Sequence, residues 1–129
     1  MTLEISDQAR ALLEKPVLVN LATVRPDGAP QVNPMWFKWE NDLIWFTHTT
    51  YRQKYKNITH EPRVSIAFLD PDNVYGYMEV RGVVEIIEED PEATLYQVLS
   101  EWYDGTAVTP PDAKDRVKIG VRPTKIVQQ

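Results

Sequence analysis

Hydrophobic residues fall into short runs with strand-like spacing, separated by turns rich in Pro, Asn, Asp and Gly. The first long run, 17–24, is rich in β-branched residues and predicts a largely buried strand. Arg25-Pro26-Asp27-Gly28 then predicts a turn, because Pro fixes φ and Asp-Gly favours positive φ. The same pattern predicts further strands at 31–40, 43–47, 64–69, 75–88, 116–121 and 125–127, the last two forming one strand interrupted at Pro123.

Three segments have helical spacing instead. The first begins after Ser6, which is a suitable N-cap. The second covers 51–61, with Thr50 as its cap and Pro62 as its end, because the residue before a proline avoids α geometry. The third begins at Asp90, again as an N-cap.

Hairpin-connected strands with helices inserted between them predict a mainly β protein, a six-stranded antiparallel barrel. The chain of 129 residues is expected to form a single domain, 1–129, around one core. Regular alternation of strands and helices, as in parallel α/β folds, is missing from the pattern.

Composition and residue spacing argue against several classes of function. A net charge of −5 argues against non-specific nucleic-acid binding, and the lack of cysteine excludes disulfides and thiolate chemistry. His48 and His60 have no zinc-ligand spacing, so we expect no metal. No apolar run approaches the length of about 18 residues that spans a membrane, and no signal-like segment begins the chain. We therefore expect a cytoplasmic protein without a membrane partner.

Positive charge is concentrated in one segment of this acidic chain. Residues 48–63 carry four cationic side chains against Glu61 alone, a local balance of +3 that leaves −8 elsewhere. The cations are Arg52, Lys54, Lys56 and Arg63. Such an island suggests a small anion as partner, and the alternative is an ordinary solvated helix face.

The start of the second helix predicts a phosphate site, because hydroxyl groups collect at the positive end of its dipole. The hydroxyls belong to Thr47, Thr49 and Thr50. Arg52 and Lys56 are four residues apart and share a face, whereas Lys54 projects from a different side. The three form one clamp only if the first turn is irregular or the anion is extended.

The segment 31–36 combines amide side chains with bulky flat groups. Pro34 within a strand indicates an edge or a bulge, which leaves backbone polar groups free. A planar heteroaromatic ligand suits such an edge, although the segment alone favours an ordinary edge strand with Trp36 in the core. No acid–base pair, GxSxG elbow, P-loop or GxGxxG motif is present, so any catalysis would depend on a cofactor.

Four segments together resemble a known family: ATVRPDGAPQVNPMWF, LIWFT, YRQKYKNITHEPRVSIAF and YMEVRGVVEI. They are similar to the pyridoxamine-phosphate-oxidase-like split-barrel flavoproteins, and within these to the deazaflavin-dependent reductases of actinobacteria. The likeness covers 10–90 well and the closing strand more loosely. The chain lacks the Arg-x-His-type motif of true pyridoxamine phosphate oxidases near its end, so oxidation of a vitamin phosphate is not expected.

The resemblance implies a homodimer with the cofactor in a groove between subunits. It assigns the cofactor phosphate to Thr47, Arg52, Lys54 and Lys56, with Asn57 supporting the turn. It assigns the tricyclic ring to the backbone and side chains of Gln31, Val32, Asn33, Pro34 and Met35, with Trp36 beside it. From the partner subunit it assigns Tyr77 and Trp102.

The implied reaction is hydride transfer from reduced coenzyme F420 to an electron-poor small molecule of enone, quinone or tetrapyrrole type. An FMN-dependent oxidoreductase of the same fold is the first alternative, because FMN also ends in a phosphate. A non-catalytic carrier of either cofactor is the second.

Overall fold

The computed structural model describes residues 3–73 and 75–128. Along the chain the strands are β1 (Val19–Val24), β2 (Pro30–Met35), β3 (Lys38–Glu40), β4 (Leu43–Thr49), β5 (Arg63–Leu69), β6 (Tyr77–Glu89) and β7 (Arg116–Gln128). The helices are α1 (Asp7–Leu13), α2 (Gln53–His60) and α3 (Thr94–Asp104), and a single 3₁₀ turn at Ala113–Asp115 precedes β7.

All strand pairs are antiparallel, and the sheet order is β2-β1-β5-β6-β7-β4-β3. The sheet curls around the core as an open barrel with β2 and β3 at its two edges. The predicted class, a mainly β split barrel, is confirmed, with seven strands in place of six. Within the described residues, no helix is long and apolar enough to cross a membrane.

The extra strand arises because the predicted strand 31–40 is two strands, β2 and β3. Phe37 turns inward and is fully buried, and its backbone N–H donates to the Tyr103 hydroxyl at 3.1 Å. A side chain from α3 thus replaces a strand neighbour as the hydrogen-bond partner. The alternation of Trp36 to Trp39 therefore did not indicate a continuous strand.

Local signals fix several element ends. The Ser6 hydroxyl accepts from the Ala9 N–H at 3.1 Å, so Ser6 caps α1 as predicted. Asn41 and Asp42 have φ of 54° and 61°, which confirms the tight hairpin turn between β3 and β4. Pro34 lies on an edge strand, where its missing N–H costs no ladder bond.

The start of α2 differs from the prediction. Thr50 is not its cap; the Thr50 N–H instead donates to the Asp115 carbonyl at 3.2 Å. Arg52 occupies the N-cap position with extended backbone, φ −89° and ψ 160°, and makes no side-chain capping bond. The helix ends at His60, before Pro62, as predicted.

The third helix begins at Thr94, later than predicted. Asp90 nevertheless caps it, because its carboxylate accepts from the backbone N–H groups of Thr94 and Leu95, each at 3.0 Å. Ala93, in the left-handed region at φ 53°, makes this longer reach possible. The capping signal was therefore correct and the helix start was wrong.

The last strand, β7, runs through Pro123 without interruption, contrary to prediction. Pro123 lies opposite Gly82, where the register between β6 and β7 shifts. A Cβ on Gly82 would lie 2.6 Å from the Val121 side chain and 2.8 Å from the Arg122 carbonyl oxygen. The irregularity at Gly82 accommodates the proline within the strand.

Candidate anion-binding cleft

An open cleft of about 460 Å³ lies between β2 and β4, where the curled sheet fails to close. β3 pairs with β4 only through Leu43–Trp45. In the described parts of the chain, Thr47 to Thr49 therefore have a strand neighbour only on the β7 side. The cleft thus borders backbone edges that no neighbouring strand occupies.

Arg52 and Lys54 form a cationic wall of this cleft. Arg52 lies at the N-cap position with extended backbone, outside the helix, so its side chain is not bound by helical spacing to that of Lys54. Lys54 is half-buried, with its Nζ 2.9 Å from the Met35 sulfur. Burial, and then the charge of Arg52, lower the pKa of Lys54 to about 8.

A third cation, Arg116, borders the same cleft and was missed by the sequence analysis. Its buried guanidinium pairs with the Asp112 carboxylate at 3.1 Å and lies 4.8 Å from the centre of the Tyr96 ring. Tyr51 donates to the same carboxylate at 3.1 Å. Arg116 is the register partner of Thr49, so only the pairing of β4 with β7 brings it here.

Three consecutive polar side chains of β4 are buried beside the cations: Thr47, His48 and Thr49. Thr47 Oγ1, His48 Nε2 and Thr49 Oγ1 have no hydrogen-bond partner among the described residues. Burial, followed by the charges of Lys54 and Arg52, lowers the pKa of His48 to about 3, so the ring is neutral near pH 7. In the sequence, His48 stands out only by its lack of zinc-ligand spacing, and its burial beside these cations depends on the folded strand.

Flat groups form the facing wall, at the end of β2. Pro34, Met35 and Trp36 line the cleft there. The Trp36 ring stacks on Tyr103 at 5.1 Å between centres, with 17° between the planes. The Tyr103 hydroxyl in turn donates to the Val17 carbonyl at 2.7 Å, so α3 holds Trp36 from behind.

The other predicted ring contacts lie outside the residues that line the cleft. Gln31 accepts a hydrogen bond from Asn57 at 3.1 Å and donates to Asn33 at 3.0 Å, so its amide group is engaged within the chain. Val32 is exposed. Ring contacts of Gln31, Val32 and Asn33 stay predictions.

The remaining predicted phosphate residues differ in their placement. Asn57 is fully buried, donates to Thr23 at 2.9 Å and accepts from Gln53 at 2.9 Å, which fits its predicted supporting role. Lys56 is exposed and does not line the cleft. Its assignment to the phosphate stays a prediction that this geometry does not favour.

Tyr77 and Trp102, expected from a partner subunit, also lie outside the cleft of their own chain. Tyr77 is exposed at the start of β6. Trp102 packs edge-on against Phe37 and Tyr103, and the Lys38 ammonium lies 4.2 Å from the centre of its ring. Their contribution to a second subunit's cleft stays a prediction.

The cleft has the chemistry of an anion site beside an aromatic wall. Arg52, Lys54 and Arg116 line one open space, and the buried polar residues Thr47 and His48 border it. Among the residues described, no group of three His, Asp or Glu side chains comes together as a metal site. Binding of a phosphate-bearing planar molecule is the function that this arrangement supports.

Comparison with known families gives an independent result. The family described as pyridoxamine 5'-phosphate oxidase matches residues 5–129. None of the curated proteins compared matches the chain.

Solved structures agree with this match. A structure named F420 Reductase is 51% identical, with a TM-score of 0.91, over 95% of this chain and 98% of that chain. A conserved hypothetical protein, Rv2991 from Mycobacterium tuberculosis, is 28% identical, with a TM-score of 0.76, over 97% and 84%. HutZ, the heme storage protein from Vibrio cholerae, is 17% identical, with a TM-score of 0.69, over 97% and 94%, and shares the fold alone.

Proposed function

The chain belongs to the pyridoxamine 5'-phosphate oxidase family, and we propose that it is a reductase that uses coenzyme F420. Its substrate in this proposal is an electron-poor small molecule of enone, quinone or tetrapyrrole type, reduced in the cytoplasm. The observation that carries the proposal is the convergence of Arg52, Lys54 and Trp36 on one cleft. The 51% identity to a structure named F420 Reductase supports the choice of the deazaflavin over FMN in this proposal.

The donors around the cleft suit the anionic tail of this cofactor. Arg52 offers a planar fork of N–H groups, and Lys54 adds a compact charge beside it. The buried Thr47 hydroxyl, which has no partner in the described chain, supplies a further donor. Charge-assisted bonds of this kind are the strong ones, so these residues would hold the phosphate.

The facing wall suits the ring. The backbone of Pro34 and Met35 lies on the open edge of β2, and Trp36 presents an apolar surface held by Tyr103. These groups would orient the ring and keep water from one of its faces. When bound, the reduced deazaflavin supplies the hydride, so the protein needs no acid–base pair of its own.

We also propose that two copies of the chain associate, and that the second copy closes the open side of the cleft with Tyr77. Tyr77 is 42% exposed at the start of β6, so its ring is available to another subunit. Light scattering of the purified protein should give twice the 14.9 kDa chain mass. In a homodimer, Tyr77→Ala should weaken F420 binding while the unfolding midpoint stays close to that of the wild type.

The cofactor is tested by purifying the protein from a host that makes FMN but no deazaflavin. Colourless protein that quenches the fluorescence of added F420 supports the proposal. Yellow protein with bound FMN and no response to F420 would assign the FMN alternative. Tight F420 binding without oxidation of the reduced cofactor by any enone, quinone or tetrapyrrole would identify a carrier.

A further inference from the structure

A largely buried ion pair joins the loop after α3 to the border of the cleft. Both oxygens of the Asp112 carboxylate accept from Arg116, Oδ1 from Nε at 3.1 Å and Oδ2 from Nη2 at 3.4 Å. The Tyr51 hydroxyl, from the segment that leads into α2, donates to Oδ2 at 3.1 Å. Asp112 is therefore held in one position by side chains from two different parts of the fold.

The negative charge of Asp112 reaches the cleft. Its partner Arg116 lines the cleft and has a side chain that is only 8% exposed, so solvent screens the pair poorly. Against the larger effects of burial and of the nearby cations, the charge of Asp112 raises the pKa of His48, which also borders the cleft. Burial opposes ionisation of Asp112 itself, but the hydrogen bond from Arg116 and the charge of Arg52 lower its pKa below the usual value, so it is ionised near pH 7.

Hydrogen bonding alone does not require a carboxylate at this position. An asparagine has nearly the same volume, accepts from Arg116 through its oxygen and offers its amide to the Tyr51 oxygen. The carboxylate adds one negative charge beside the three cations that line the cleft, Arg52, Lys54 and Arg116. A fixed charge acts on a ligand in proportion to the ligand's own charge, so Asp112 opposes binding of a dianion about twice as strongly as binding of a monoanion.

Resting on the proposed function, we propose that Asp112 is a specificity-determining residue that favours a phosphodiester over a phosphomonoester in the cleft. The phosphate of F420 is a diester with one negative charge, whereas FMN ends in a monoester that carries nearly two at pH 7. Asp112 offsets one of the three cationic charges and so reduces the advantage that a dianion has at a cationic wall. It acts through its charge on a ligand that Arg52 and Lys54 hold, and it is not a catalytic residue.

Three probes with the same deazaflavin ring and ribityl chain test this assignment: one without phosphate, one ending in a phosphomonoester, and the methyl diester of that phosphate. The two phosphate probes differ by one methyl group and one charge. At pH 7.5 and one low salt concentration, Asp112→Asn should bind the diester about threefold and the monoester about tenfold more tightly than the wild type does. Affinity for the phosphate-free probe should change by less than about twofold.

A second pH separates charge from shape. At pH 5 the monoester, whose second pKa is about 6, carries one charge, as the diester does. Asp112 remains ionised there, because its pKa is lowered from 3.8. Asp112→Asn should then change the affinities for the two phosphate probes by the same factor, within about 1.5-fold. Asp112→Ser is a second neutral variant and should reproduce both results.

Two control variants leave the charge beside the cleft in place. Tyr51→Phe removes a hydrogen bond to Asp112 but keeps its carboxylate. Glu85→Gln neutralises another carboxylate that pairs with an arginine, Arg122 at 3.4 Å, outside the residues that line this cleft. In both controls the ratio of monoester to diester affinity should stay within about twofold of the wild-type ratio.

An unchanged ratio in Asp112→Asn at pH 7.5 would overturn the assignment while wild-type binding of F420 left the proposed function intact. A shift of the same size in Tyr51→Phe would also overturn it, because the anchoring of the loop and not the charge would then set the preference. The proposed function fails in a different way: the wild type would bind neither F420 nor FMN, and the role of Asp112 would fall with it.

Discussion

The Asn57 side chain donates a hydrogen bond of 2.9 Å to the Thr23 hydroxyl, and this buried contact joins α2 to β1. The same amide donates to Gln31 of β2 and accepts from Gln53. Asn57 therefore sets the position of the helix that carries Lys54 relative to the edge strand across the cleft. The cationic wall depends on this amide as well as on the helix start.

Replacing Asn57 by leucine should lower the free energy of unfolding by about 2–3 kcal/mol, because the Thr23 and Gln31 groups lose a buried partner. Urea denaturation measures this directly. Thr59→Ala is the matched control: Thr59 lies on the same helix, is exposed and bonds only to the Lys56 carbonyl within the described chain. If both variants lost the same stability, the buried amide would not be the connection between helix and sheet.

The two lysines of α2 should differ in their effect on F420 binding. Lys54→Ala removes a half-buried charge that lines the cleft and should weaken binding about ten- to a hundredfold. Lys56→Ala removes an exposed charge outside the lining and should change affinity by less than about threefold. Fluorescence titration of both variants at one salt concentration tests the contrast. A larger loss for Lys56→Ala would restore the assignment that the family resemblance implied.

The pH dependence of binding should report the charge on Lys54. Burial and the nearby Arg52 lower the pKa of its ammonium from 10.5 to about 8 in the free protein. Lys54 therefore loses its proton as the pH rises through 8. A bound anion favours the charged ammonium, so above pH 8 Lys54 must take up a proton when the anion binds, and this weakens binding. Affinity for F420 should fall about tenfold between pH 7.5 and 9.5.

Lys54→Arg provides the matched comparison, because a guanidinium remains charged throughout this range. Its affinity for F420 should be nearly flat over the same pH interval, whatever its absolute value. An equally steep fall in Lys54→Arg would place the titrating group on the cofactor or elsewhere on the protein.

Local chemistry made much of the fold predictable. The Ser6 cap, the Asn41-Asp42 turn and the edge position of Pro34 each depend on residues adjacent in sequence, and the structure confirms each. The strand break at Phe37 depends on Tyr103, which is 66 residues away. No pattern within 31–40 contains that information.

The residues of the site also divide into those that local sequence predicts and those that only the tertiary structure brings in. Arg52, Lys54 and the 34–36 segment were found because charge and proline placement are visible in sequence. Arg116 reaches the cleft because it pairs with Thr49 in the β4–β7 register. His48 is buried at the cleft because both faces of β4 are covered. Register and burial are tertiary properties, so a lone histidine and an arginine in a strand gave no signal.

His48 should make the free protein sensitive to acid. Its pKa is lowered from 6.5 to about 3 by burial and by the charges of Lys54, Arg52 and Arg116, against the opposing charge of Asp112. Between pH 6.5 and about 3, His48 is protonated in the unfolded chain but stays neutral in the folded protein. The stability contributed by the neutral ring is complete above pH 6.5 and is lost as the pH falls toward 3.

The loss is at most about 1.4 kcal/mol per pH unit. Urea denaturation at pH 7, 5.5 and 4 should therefore show the free energy of unfolding of His48→Leu rising relative to that of the wild type by about 3 kcal/mol over this range. Carboxyl groups titrate in both proteins, so they cancel in the difference. A difference that does not change with pH would mean that the folded ring accepts a proton normally.

The Tyr103 hydroxyl connects three parts of the molecule that the sequence separates. It donates to the Val17 carbonyl at 2.7 Å and accepts from the Phe37 N–H at 3.1 Å, while its ring supports Trp36. Tyr103→Phe keeps the ring and leaves both backbone groups without this partner, so it should cost about 1–3 kcal/mol of unfolding free energy.

Tyr75→Phe removes a hydroxyl from a ring that is 81% exposed and should cost less than about 0.5 kcal/mol, so it is the control for loss of a phenol as such. The Tyr103 hydroxyl holds the backbone of Phe37, the residue that follows Trp36, and so helps to position the Trp36 ring at the cleft. F420 affinity should therefore fall in Tyr103→Phe and remain unchanged in Tyr75→Phe. A variant that lost stability but bound F420 normally would show that Trp36 is positioned by stacking alone, independently of the backbone at Phe37.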